Sequence, residues 1–197
     1  MKTLLITGPV GSGKSAVSRT LRALGMPVYD CDEGAKTLYA RHPELVEVLE
    51  KELGTGLRKA GGVLDKPVLA SLIFHDAKTR VRVNALVHPA VVRDFEAWKK
   101  GQGNVPWVGV ESALFLSPEA GASLPCEAVL YVDAPEDIRL QRILQRDGCS
   151  EEQARRRMAS QRLSPEDQRV TDVLLNDVDE VALQEKTKQF YHRLYEN

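Results

Sequence analysis

The sequence predicts an α/β fold, a mostly parallel sheet of about five strands with helices on both faces. Three observations predict it. Short apolar runs alternate with longer stretches of helical periodicity. The first run, Leu4 to Thr7, leads directly into Gly8-x-x-x-x-Gly13-Lys14-Ser15, and then into Ala16, Val17, Thr20, Leu21 and Leu24 at the spacing of a helix with one buried face. The stretch 33–100 reads as helices without a strand among them, as an insertion into an otherwise regular sheet would.

Strand, glycine-rich turn and helix together make the Walker A pattern a structural element, and the fold that of the P-loop NTPases. Gly8, Gly11 and Gly13 allow backbone angles that side chains forbid, so consecutive N–H groups from Gly8 to Ala16, Ser12 included, turn inward around a phosphate chain. The helix starting near Lys14 adds unpaired N–H groups and a positive dipole end. Lys14 brings its charge to the β- and γ-phosphates, and the Ser15 hydroxyl is placed to ligate Mg²⁺.

The remaining elements follow in order. Gly25 stops the first helix, and Pro27-Val28-Tyr29 is a second strand that delivers Asp30-Cys31-Asp32 at its carboxyl end, the side on which ligands bind in open α/β sheets. Helices are expected from about 33 to 39 and from 43 to 53, the latter with Leu45, Val48, Leu49 and Leu53 on one face. Residues 54–62 are a glycine-rich connection, after which Asp65 caps a helix with Pro67 in its first turn. A helix over 77–87 is expected to break at His88-Pro89, with the next running to Lys100. Strands are expected at 105–111, 127–133 and 170–175, an arginine-rich helix after Pro135, and a closing helix at 178–195. The chain therefore reads as a single kinase-like domain over 1–197. Its core is 1–32, 105–146 and 169–197, its helical acceptor-side insertion about 33–104, and its polar lid about 147–168.

Composition narrows the function. A formal net charge of −1 supplies no basic field for nucleic acid, and the scattered aromatics do not suggest base stacking. No apolar run approaches the roughly 20 residues of a membrane helix, and the N-terminal run is too short for a secretory signal. Cys31, Cys126 and Cys149 lack metal-ligand spacing and suit a reducing cytoplasm.

Asp30-x-Asp32 fits phosphoryl transfer to an alcohol, in which a carboxylate orients the hydroxyl and takes its proton; alternatively Asp32 caps the helix starting at Glu33. Arg139, Arg142 and Arg146 share a helical stripe, either solvated or binding phosphate bidentately. Among Arg155, Arg156 and Arg157 one is expected to reach the phosphates, in a segment with too few apolar residues for a fixed core position. Glu111 ends a strand, where it either holds a Mg²⁺ water or is a surface carboxylate. His88 is read as a helix cap or packing residue against an acid–base role.

With these residues in view, the whole chain resembles the dephospho-CoA kinase family. The resemblance lies in Thr7-Gly8-Pro9-Val10-Gly11-Ser12-Gly13-Lys14-Ser15, Val28-Tyr29-Asp30-Cys31-Asp32, Leu64-Asp65-Lys66, His88-Pro89, Arg142, Arg146-Asp147, Arg157, Gln161, and Asp172 to Asn176. It implies transfer of the γ-phosphate of ATP, with Mg²⁺, to the ribose 3′-hydroxyl of dephospho-CoA in the cytoplasm. It also implies Asp32, Lys14 and Arg142 as catalytic residues, with Arg146, Arg157 and Asn176 beside the phosphate loop on the nucleotide. Asp30, Asp32, His88 and Glu111 fall on the acceptor side. The chain departs from the family pattern at 111–117, Glu-Ser-Ala-Leu-Phe-Leu-Ser, where the usual proline and final glutamate are absent, and at Ala16 and Thr171. Two other readings remain at this level: a small-molecule kinase for a nucleoside monophosphate or sugar acid, and a nucleotide-binding regulator that does not catalyse.

Overall fold

Lys2–Thr7 forms β1, whose side chains alternate between two buried faces because a strand repeats every second residue. The structure, a computed structural model, describes residues 1–59, 61–113, 124–161 and 163–196. β1 pairs in parallel with β3 (Trp107–Glu111) and β4 (Ala128–Asp133), and β4 with β5 (Asp172–Leu175). With β2 (Val28–Asp30) at the opposite edge, the five-stranded order is β2-β3-β1-β4-β5. Leu4 and Ile6 meet Val17 and Leu21 of α1 (Lys14–Ala23) and Leu183 and Phe190 of α8 (Glu180–Glu196) in one buried cluster. Packing of this kind, at about 1.5–3 kcal/mol per large apolar side chain, fixes α1 and hence the loop before it.

The chain divides into two compact units. The first holds the sheet, α1, α8 and two further helices, α6 (Glu136–Asp147) and α7 (Glu151–Ala159). α6 and α7 enclose a small core of their own, with Ile143, Ala154 and Met158 buried and Val10, Leu140, Leu144 and Cys149 packed against them. The expectation that 147–168 lacks a fixed core position is corrected here. Cys149, Ala154 and Met158 suffice from this segment, because α6 and Val10 of the phosphate loop supply the rest of the surface.

The second unit, mainly Asp30–Gly101, is built from α2 (Cys31–Arg41), α3 (Pro43–Leu53), α4 (Lys66–His75) and α5 (Ala77–Lys100). α5 packs against the other three, and Arg41 reaches across to Asp94 with two hydrogen bonds of 2.6 and 2.9 Å. Asp65 caps α4 from its carboxylate, as its position before Pro67 predicts. Two expectations fail. α5 does not break at His88-Pro89 but runs straight through Pro89. Val83, Val87, Ala90, Val91 and Phe95 form one buried stripe on both sides of the proline. Their burial outweighs the roughly 3 kcal/mol that an interior proline costs. In α3 the buried face is Leu45, Val46 and Leu49, while Val48 is 46% exposed, so the apolar stripe is rotated by one position. Among the described residues no helix is long and apolar enough to cross a membrane. Residues 114–117 of the departure at 111–117 lie outside the described residues.

Candidate active site

The loop from Gly8 to Gly13 is built by fixing its carbonyl groups. Gly8 O and Pro9 O accept from Lys14 Nζ at 2.9 and 3.1 Å, and Pro9 O also accepts from the N–H of Ser12. Gly11 O accepts from Arg142 at 3.3 Å, and Ser12 O accepts from Asn176 Nδ2 at 2.7 Å and from Arg142. Gly13 O takes the N–H groups of Ala16 and Val17, which closes the first turn of α1. With these oxygens engaged, the backbone dipoles are oriented as an anion nest needs, at the head of a helix with no acidic residue in its first turn.

Glycine is required at two of these positions for different reasons. Gly8 has φ 143°, and a Cβ there would overlap the carbonyl of Val132 in β4. Gly13 has φ 99°, and a Cβ would overlap the Asn176 amide that holds Ser12 O. Both angles lie where side chains are disfavoured, and the close approaches leave no room for one.

Ser15 Oγ donates to Glu111 Oε1 at 2.7 Å, joining the first turn of α1 to the end of β3. Glu111 is only 7% exposed, which overturns its reading as a surface carboxylate. Its other oxygen, with Thr7 Oγ1, Ser12 Oγ and Ser18 Oγ, is buried without a hydrogen-bond partner among the described residues. Buried polar atoms of this kind ordinarily find partners, and three of these four lie in or next to the phosphate loop.

The three arginines of α6 do not act as one stripe. Arg139 Nε donates to Ala134 O. Arg142 turns onto the loop and also bonds Asn176 O and Oδ1 at 3.4 and 3.3 Å. Arg146 is exposed and bound to Asp147 at 2.7 and 3.1 Å, and Arg157 donates to the same carboxylate at 2.6 Å. The hydrogen bond from Arg146, followed by the charges of both arginines, holds Asp147 below its ordinary carboxyl value. Arg155 and Arg156 are paired with Glu151 and Glu152 one turn back on α7. Asn176 is 3% exposed, with its side chain spent on the loop and on Arg142.

In the helical unit, Asp30 and not Asp32 caps α2. Its Oδ1 accepts the N–H groups of Asp32 and Glu33 at 2.9 and 3.1 Å. The capping alternative for Asp32 is thus corrected: the helix starts two residues earlier than predicted, and Asp32 lies within its first turn with an exposed side chain. His88 is buried in the middle of α5, so it is no helix cap. The resemblance singles out Asp147 and Gln161 but not their contacts: Asp147 is the acid shared by Arg146 and Arg157, and Gln161 Oε1 accepts the N–H of Val10 at 2.7 Å across 151 positions of chain. No local signal announces either contact.

A phosphate loop at the end of the central strand, carrying its lysine and serine into a helix on this strand order, defines a P-loop kinase. The family model for dephospho-CoA kinase matches residues 3–182. A dephospho-CoA kinase of Porphyromonas gingivalis is 42% identical over 161 residues, 82% of this chain and 78% of the relative. The crystal structure of TT1252 from Thermus thermophilus superimposes with a TM-score of 0.79 at 31% identity, over 98% of this chain and 96% of that one. A dephospho-CoA kinase of Campylobacter jejuni, at 20% identity and a TM-score of 0.63 over 98% and 96% of the two chains, shares the fold. The chain belongs to the dephospho-CoA kinase family and is an ATP-using phosphotransferase.

Proposed function

We propose that this chain transfers the γ-phosphoryl group of ATP to the ribose 3′-hydroxyl of dephospho-CoA, releasing ADP and coenzyme A. The observation that carries the reading is the fixed phosphate loop in a chain of this family. A bond forms between the acceptor oxygen and the γ-phosphorus, the bond to the β,γ-bridging oxygen breaks, and the acceptor proton passes to Asp32. Because the transition state is loose, Asp32 acts mainly by positioning the hydroxyl. Lys14 exchanges its loop carbonyls for the β- and γ-phosphates and meets the developing charge.

Arg142 and Asn176 serve the nucleotide through the loop they hold, and Arg146 and Arg157 reach it from the lid. Asp30 and His88 shape the acceptor side. The donor set fits Mg²⁺: the Ser15 hydroxyl and the Glu111 carboxylate, whose Oε2 has no hydrogen-bond partner among the described residues. Mg²⁺ held there would neutralise charge that develops during phosphoryl transfer. The enzyme acts on a small molecule in the cytoplasm, without nucleic acid or membrane as partner.

A coupled assay of ADP release tests the reading. Turnover is expected with dephospho-CoA, and not with nucleoside monophosphates, gluconate or shikimate. Faster turnover on any of those three overturns the acceptor. ATP consumption that no acceptor stimulates overturns the kinase reading.

A further inference from the structure

Gln161 lies just beyond α7, outside the residues assigned to nucleotide or acceptor, yet its side chain ends on the phosphate loop. Its Oε1 accepts the N–H of Val10 at 2.7 Å. The Val10 side chain packs on the core shared by α6 and α7, against Ile143, Ala154 and Met158. The tip of the loop is therefore held twice by the lid, once through its backbone and once through its side chain. The chain after Gln161 is anchored as well. Leu163 O accepts from the Tyr131 hydroxyl of β4 at 3.3 Å, and burial pushes that hydroxyl's pKa up to about 12, so it remains a donor at all working pH values. Gln161 thus sits between a helix with its own core and a fixed point on the central sheet.

We propose that Gln161 is a positioning residue that ties the lid to the tip of the phosphate loop, so that lid and loop move on the nucleotide as one piece. The consequence is chemical. Val10 N–H is occupied by a side chain and is not offered to phosphate, which leaves the triphosphate to the N–H groups nearer Lys14. Any displacement of α7 that breaks the bond releases a donor beside the γ-phosphate position and loosens the tip. The bond therefore links the position of the lid arginines to the geometry of the loop. The proposal rests on ATP binding at this loop, and nucleotide binding by the wild-type chain checks that reading separately.

Gln161→Met keeps the length and bulk of the side chain and removes the acceptor. A hydrogen bond of this kind contributes about 1 kcal/mol, so kcat/KM for ATP is expected to fall about fivefold. KM for dephospho-CoA should stay at the wild-type value, and the thermal midpoint should fall by no more than the roughly 2–4 °C that one lost hydrogen bond costs. Val10 amide exchange, slow in the nucleotide-free wild type, should accelerate in the variant. Unchanged kinetics in a folded variant overturn the proposal. So does a lower midpoint with all kinetic parameters altered in parallel, which is what a merely structural role would give. Should the variant fail to fold, the wild type alone decides: a Val10 amide that exchanges like an exposed one overturns the bond itself, and a protected one upholds it.

Discussion

The phosphate loop and the stretch 146–157 both present cationic groups, and they are held in opposite ways. In the loop, Lys14 and Arg142 bond to main-chain carbonyls, and the contacts are partly buried. In the lid and at the residue before it, Arg146, Arg155, Arg156 and Arg157 rest on carboxylates, and each is at least 39% exposed. Partly desolvated hydrogen bonds orient strongly, whereas exposed ion pairs contribute about 0–1 kcal/mol. The loop is thus shaped before a ligand arrives, while the lid arginines rest on partners from which an anion can draw them. Arg142 and Arg146 show the contrast within one helix, a single turn apart. An arginine's neighbours decide its role more than its place in a stripe.

The largest expected effect lies in the loop. Lys14→Ala should lower turnover by about a thousandfold or more, because the lost charge acts on the transition state. Its thermal midpoint should stay close to the wild type, since the loop keeps its bonds to Arg142 and Asn176. Steady-state kinetics with a melting curve check both. Near-normal turnover in a folded variant would remove the loop from the chemistry. Asp32→Asn comes next, at about a hundredfold in turnover with ATP affinity unchanged, the usual scale for a positioned base. A drop in stability with turnover intact would move the role from catalysis to helix capping, and Asp30 already performs the capping.

Glu111→Gln is a smaller lesion. The amide oxygen still accepts from Ser15, but the charge is gone and a donor stands where an unpartnered oxygen was. The Mg²⁺ concentration for half-maximal activity should rise about tenfold, as expected for losing one charge-assisted contact of roughly 1.5 kcal/mol. A Mg²⁺ titration that superimposes on the wild type would separate Glu111 from the metal.

What the sequence makes legible follows from how local each feature is. The phosphate loop could be read because Gly8, Gly13, Lys14 and Ser15 encode it within eight positions, flanked by a strand and a helix that announce their own periods. The five strands were readable for the same reason, but their order was not: the strand ending at Asp30 was expected beside β1, and β3 stands between the two. Pro89 misled because burial along α5 belongs to tertiary packing, which a propensity rule does not see. The cap of α2 misled because two aspartates stand two positions apart, and only backbone geometry distinguishes them. The depth of Glu111, the divergence of Arg142 from Arg146 and the bond from Val10 to Gln161 all depend on contacts across the chain. Periodicity carries no record of such contacts.

The smallest effect tests the lid side of the comparison. Asp147 lies below its ordinary value of 3.8, first because of the hydrogen bond from Arg146, with the charges of Arg146 and Arg157 behind it. A carboxyl depressed in the folded state contributes stability above its unfolded value, and that contribution is lost as pH falls through the folded one. The pairs on Asp147 should therefore be constant from neutral pH down to about 4 and fade only in more acidic solution. Amide exchange of α7, corrected for intrinsic rates, should be flat between pH 7 and pH 5. Asp147→Asn should speed it by only about two- to fivefold, the scale of exposed pairs. A non-hydrolysable ATP analogue should slow it in the wild type by populating the closed form. The amides of Gly11 to Ser15 should not respond to Asp147→Asn, because Arg142 and Asn176 hold Gly11 and Ser12 independently of Asp147, whereas Val10, tied to the lid through Gln161, stands outside this comparison. If the loop amides accelerate together with those of α7, loop and lid share one set of supports, and the contrast between a preformed site and a loosely held cover is wrong.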